Sequence, residues 1–104
     1  MRRNLMEDLG RLQQQLDACV RFWRAGYDAG GYDEFVAALR QLEKVVLYHF
    51  DKLPKDDSFP ELLENLRTCV KNRDIMGVQD VVEYELGPLV ARWLEGRIAN
   101  LDDR

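Results

Sequence analysis

The sequence has few of the residues from which catalytic and metal sites are usually built. It contains one histidine, His49, and two cysteines, Cys19 and Cys69, which stand far apart in the chain. No CxxC pair, glycine-rich phosphate loop, GxSxG motif or HExxH motif is present. We therefore predict that both cysteines are buried thiols, that the protein has no cofactor and no metal, and that it is not an enzyme.

Positive charge and long apolar runs are also scarce. Fifteen Lys and Arg residues face nineteen Asp and Glu residues, for a net charge of −4, which opposes non-specific binding to nucleic acid or anionic membranes. The longest apolar run, residues 45–50, is far below the roughly 20 residues that span a bilayer. The N-terminal residues lack the uninterrupted apolar core of a signal peptide. We expect a cytoplasmic protein with no nucleic-acid or membrane partner.

Apolar residues at helical spacing are what the sequence does contain. A chain of 104 residues is long enough to bury roughly two-thirds of its unfolded surface, so residues 1–104 are predicted to form a single domain. Steps of three and four residues between apolar positions predict helices and no strands. The predicted fold is an all-α, up-down four-helix bundle. The predicted helices cover residues 4–24, 33–50, 59–72 and 75–100.

The last predicted helix has the longest apolar stripe of the chain, and a Gly-Pro pair lies within it. Its stripe consists of Ile75, Val78, Val82, Leu86, Leu89 and Trp93. Gly87 and Pro88 interrupt it, and their combined penalty in a straight helix is about 4 kcal/mol. A kink or a break is therefore expected at this point, after which Val90, Leu94, Ile98 and Leu101 form a second apolar line.

Turn and capping signals predict one connector and one helix start. Residues 25–33 contain three glycines and are predicted to be a connector, with Asp33 as the N-cap of the second helix. Ser58 and Glu61 match a capping box, with Pro60 in the first turn of the third helix.

The first helix and the histidine each leave an alternative open. The seam Leu5, Leu9, Leu12 and Leu16 has heptad-like spacing, so a structural homodimer through this helix competes with packing inside the chain. His49 falls on the core-facing side of the second helix. A core or edge histidine with one backbone partner is favoured, and a small enzyme that uses His49 with an acidic residue is the alternative.

Four residues of the last helix are predicted to contact a partner. Trp93 lies on the apolar stripe and Tyr84 lies opposite it, so Tyr84 is expected to be exposed. A bend at Pro88 would present Tyr84 together with neighbouring acidic residues. The predicted partner-binding residues are Asp80, Tyr84, Glu85 and Pro88. The predicted function is a non-catalytic protein-binding module, an adaptor or chaperone that holds an amphipathic helix of another protein.

The same segment carries a resemblance. Asp74-Ile75, the run DVVEYEL at residues 80–86, Pro88-Leu89 and Trp93 resemble a recurring C-terminal segment of small uncharacterised helical proteins from Gram-positive bacteria. This resemblance implies an all-helical bundle and names no catalytic residues. By size and architecture the chain is also similar to the flagellar export chaperones, which implies a bundle that holds a partner's amphipathic helix.

Overall fold

A computed structural model describes the backbone of residues 4–53 and 58–102, and the side chains within those ranges up to residue 95. The described part is all-α and contains no strand. Its elements are α1 (Leu5–Arg24), α2 (Asp28–His49), a 3₁₀ turn (Phe50–Lys52), α3 (Ser58–Lys71), α4 (Ile75–Val81), a π-helical turn (Val82–Leu86) and α5 (Gly87–Asp102). The last three elements follow one another without interruption and are called the last helix. The prediction of an all-α four-helix bundle is confirmed.

Neighbouring helices of the bundle are not all closely packed against each other. α1 packs along α2 and also against the π-helical turn and α5, while α3 packs against α4. Phe59 of α3 meets Trp93 of α5 edge to face, with ring centroids 5.2 Å apart. α2 and α3 are not packed closely against each other. The bundle is therefore closed on three sides and open between α2 and α3.

The core contains most of the apolar positions that were predicted to face it. The α1 seam is buried inside the chain, and so is every residue of the last-helix stripe except Ile75. Packing within the chain therefore occupies the seam that would have formed the homodimer interface. Val90 of the second apolar line is buried and Leu94 is half-buried. Ile98 and Leu101 lie outside the described side chains.

The first connector is shorter than predicted. α2 begins at Asp28 rather than after Asp33, so only residues 25–27 join α1 to α2. A Cβ on Gly31 would clash with the indole of Trp23, so this glycine allows a close approach of two helices rather than a turn. The glycine that the turn requires is Gly26, whose φ is +86°.

The connection between α3 and the last helix is as short as predicted. The Asp74 N–H donates to the Cys69 carbonyl and the Arg73 N–H donates to the Val70 carbonyl, at 2.8 and 3.1 Å. This is a Schellman motif, and Arg73 occupies its left-handed position with φ of 55°. The Asp74 carboxylate accepts from the Gly77 N–H at 2.9 Å, so Asp74 is the N-cap of α4. α3 itself begins at Ser58, one residue earlier than predicted.

The last helix passes Gly87 and Pro88 without a break. The Gly87 N–H donates to the Val82 carbonyl, five residues back, which is the hydrogen bond of a π-helical turn. Pro88 has no N–H and its ring would crowd the Tyr84 carbonyl in a regular helix. The wider turn lies immediately before the proline and accommodates it.

Candidate functional site

A groove lies on the open side of the bundle, between α2 and α3. Its volume is about 720 Å³. Apolar side chains form its floor and most of its walls, and three charged side chains stand at its edges. The lining residues are Leu39, Leu42, Glu43, Val46 and Leu47 from α2, and Leu63, Leu66, Arg67, Val70 and Lys71 from α3.

The groove exists because the apolar surface of α2 is wider than one stripe. Phe35, Leu42 and Val45 are buried against the core, whereas Leu39 and Val46 are half-buried and turn toward the groove. A residue four positions further along a helix is displaced about 40° around its axis, so a broad apolar face spans two directions. One part of the apolar face of α2 therefore packs in the core, and the other part lines the groove.

α3 divides its apolar face in the same way. Leu62 and Leu66 are buried, while Leu63 and Val70 are half-buried and line the groove. Leu47 is the most exposed apolar side chain of the lining, with 74% of its surface accessible. The half-buried apolar side chains on both walls therefore pack against the core and also keep accessible surface that faces the groove.

A smaller apolar pocket continues the groove toward the start of α2. Its lining residues are Tyr32, Cys69, Val70, Arg73, Ile75 and Val78, so Val70 belongs to both features. From Tyr32 to Leu47 the α2 wall extends over about 22 Å, at 1.5 Å of rise per residue. A helix of about 15 residues has this length.

The four residues of the last helix that were predicted from sequence to contact a partner do not line a common groove. Asp80, Tyr84, Glu85 and Pro88 are all exposed, and Tyr84 is 70% accessible. Tyr84 and Glu85 line a small groove beside α3, whereas Pro88 lines a different groove beside α1. Asp80 lines neither. The structure therefore does not bring the four residues into one pocket.

His49 has a partner that the sequence did not predict. Its ring is 2% exposed, and its Nε2 lies 2.9 Å from Oδ2 of Asp8, a buried residue of α1. Gln41 of α2 adds a second link, since its Nε2 donates to the Asp8 carbonyl at 2.9 Å. The prediction of a backbone partner was wrong. The partner is the carboxylate of Asp8 in α1, and the spacing of residues within α2 could not indicate it. The core position of His49 is confirmed.

The His49–Asp8 pair is placed to join two helices. It connects the start of α1 to the end of α2, and neither residue lines the grooves described above. The second ring nitrogen of His49, Nδ1, is also buried and has no hydrogen-bond partner among the described residues. A general base needs a nitrogen within reach of a bound substrate, and this arrangement offers none at the surface.

The cysteines offer little nucleophilic chemistry. Cys19 is fully buried, and burial, together with the negative charge of Glu34, raises the pKa of its thiol to about 12. A thiol with this pKa remains protonated near neutral pH and is a poor nucleophile. Cys69 is half-buried rather than buried. Within the described residues, no group of three His, Cys, Asp or Glu side chains is arranged to hold a metal ion.

Comparisons with known proteins identified no similar protein. The chain matches no protein-family model, no curated protein and no solved structure. In the part of the chain that the structure describes, no helix combines the length and the apolar character needed to cross a membrane.

Proposed function

We propose that this protein is a non-catalytic binding module that holds an amphipathic helix of a partner protein in the groove between α2 and α3. The observation that carries the proposal is the open side of the bundle. Three neighbouring helix pairs are packed, whereas the fourth pair leaves an apolar groove of about 720 Å³ between its members. An amphipathic helix of a partner would supply the missing contacts.

The dimensions and chemistry of the groove favour a helix over other ligands. Both walls are helices whose lining residues repeat at three- and four-residue steps, such as Leu39, Leu42 and Val46. An apolar stripe with the same period can interdigitate with these ridges. The length of the α2 wall, about 22 Å, suits a helix of about four turns.

The competing functions find less support. The enzyme alternative uses His49 and an acidic residue, and such a pair is present, but it is buried away from the grooves. The homodimer alternative uses the α1 seam, whose side chains are buried in the chain's own core. A chaperone or adaptor that holds a helix is also what the architectural similarity to flagellar export chaperones implies.

The proposal predicts that a polar substitution at Leu47 weakens binding of a helix. The probe is a fluorescein-labelled peptide of about 18 residues, with leucines at three- and four-residue steps and only Gln and Ala elsewhere. It is called the neutral peptide. Burying a leucine side chain contributes roughly 1.5–3 kcal/mol, and 1.4 kcal/mol is tenfold in affinity. Fluorescence anisotropy should therefore show that Leu47→Ser weakens binding of the neutral peptide by about tenfold.

Met76 provides a matched control for Leu47. Its side chain is 75% exposed and it lines none of the described grooves, so Met76→Ser is expected to change the affinity by less than about twofold. Equal binding by the wild type and the Leu47→Ser protein, or no binding by the wild type at micromolar concentrations, would contradict the proposal.

A further inference from the structure

The two edges of the groove carry different charges. Arg67 and Lys71 line the α3 edge, and Arg73 continues the same edge into the adjoining pocket. Glu43 is the one acidic residue among the lining residues of the α2 edge. The chain has a net charge of −4, whereas this edge of the groove is positively charged.

The basic residues of this edge have no acidic partner among the described residues. Arg67, Lys71 and Arg73 are exposed, and none of them forms an ion pair or a side-chain hydrogen bond in the part of the chain that the structure describes. Like charges four residues apart on a helix, as at Arg67 and Lys71, are slightly destabilising. The carboxylate of Asp74 is close to Arg73 in sequence, and it accepts from the Gly77 N–H rather than from a basic side chain. Among the described residues, the positive edge therefore has no ion-pair partner.

From this arrangement we infer that the partner helix is acidic along one flank. Its carboxylates face Arg67 and Lys71, which are about 6 Å apart along the helix axis at 1.5 Å per residue. Two acidic residues at positions i and i+4 have the same separation. A basic residue on the opposite flank faces Glu43. The inference deepens the proposed function and rests on it, since it specifies the chemistry of the helix held in the groove.

A second copy of this chain is a poorer occupant by the same charge argument. In a two-fold dimer formed groove to groove, each chain would contribute three basic edge residues and one acidic residue. Such an interface would contain six basic residues and two acidic ones, so four positive charges would have no counterpart, and this imbalance is unfavourable. An acidic helix from a different protein satisfies both edges.

The test compares two charged versions of the neutral peptide. The acidic peptide has Glu at two positions four residues apart on one flank and Lys on the other flank, whereas the basic peptide has Lys at the same two positions and Glu on the other flank. At low salt, the wild type is expected to bind the acidic peptide about tenfold more tightly than the basic peptide. The difference should shrink as salt is added, because exposed charge pairs are screened.

Charge reversal on the α3 edge should reverse this preference. Arg67→Glu/Lys71→Glu is expected to bind the basic peptide more tightly than the acidic one. Arg11→Glu/Lys52→Glu changes the net charge equally at exposed positions that do not line the groove, and should keep the wild-type preference. Circular dichroism on each variant confirms that the helical fold is retained.

The outcomes separate this inference from the proposed function. If all three peptides bind to the wild type with the same affinity, the groove holds a helix but the charge inference is wrong. If no peptide binds, the proposed function itself is wrong. If sedimentation shows a dimer that the acidic peptide does not dissociate, the groove is occupied by a second copy and the inference is overturned.

Discussion

Replacing His49 by leucine is expected to lower the free energy of unfolding by about 2 kcal/mol. The substitution leaves the buried Asp8 carboxylate without its imidazole partner, and a hydrogen bond to a charged group contributes roughly 1.5–3 kcal/mol. Asp8 lies in the first turn of α1, where the helix dipole favours a negative charge, so the lower part of this range is expected. Urea unfolding followed by circular dichroism measures the change.

Two further variants make the His49 result specific. Phe50→Leu changes an exposed neighbour and should alter the free energy of unfolding by no more than about 0.5 kcal/mol. Asp8→Leu/His49→Leu replaces both members of the pair and should recover part of the loss, because two apolar side chains leave no buried charge. A His49→Leu protein as stable as the wild type would show that the pair does not join α1 to α2.

The same residue also discriminates between a binding module and an enzyme. His49→Gln keeps a hydrogen-bond donor close to Asp8 and should reduce stability less than leucine does. If cellular function falls only in proportion to stability, His49 acts in the core. A His49→Gln protein that is as stable as the wild type but has lost its cellular function would contradict the proposal of a non-catalytic module.

Replacing Trp93 by alanine is expected to lower the free energy of unfolding by about 3–5 kcal/mol, as is typical for large aromatic residues in a core. Trp93 is 3% exposed and contacts Phe59 of α3 edge to face. α3 packs against α4 rather than closely against α2, and the contact of Phe59 with Trp93 also links α3 to α5. Chemical denaturation measures the loss of stability.

Hydrogen exchange should show where the Trp93→Ala protein loosens. The amides of α3 are expected to lose more protection than those of α1 and α2, which pack on each other along their length. Tyr84→Ala removes an exposed aromatic residue from the same helix and should change stability by less than about 0.5 kcal/mol. A uniform loss of protection over all helices would contradict a specific role of Trp93 in holding α3.

Most of the fold could be predicted from sequence because helical periodicity reports local geometry. The seam of α1, from Leu5 to Leu16, has the spacing of a buried face and is buried. The start of α2 was missed because glycine has two structural uses. Gly31 lies inside a helix to make room for Trp23, and only the position of a distant side chain distinguishes this use from a turn.

The candidate site was harder to predict because it depends on which helices fail to pack. Leu39 and Val46 stand at helical spacing from the buried Leu42, yet they are half-buried and line the groove. Periodicity shows that a side chain is on the apolar face, but it does not show whether a neighbouring helix covers it. The His49–Asp8 pair has the same limitation, since its members lie in different helices.

The most direct test of a helix-holding groove is to map where the acidic peptide binds. The measurement is a titration of ¹⁵N-labelled protein with this peptide, followed by amide chemical shifts. The groove account predicts that the largest changes fall in residues 39–47 of α2 and 63–71 of α3, with small changes in the last helix. Largest changes in residues 80–88, around Asp80, Tyr84, Glu85 and Pro88, would contradict it and would place the binding surface on the last helix instead.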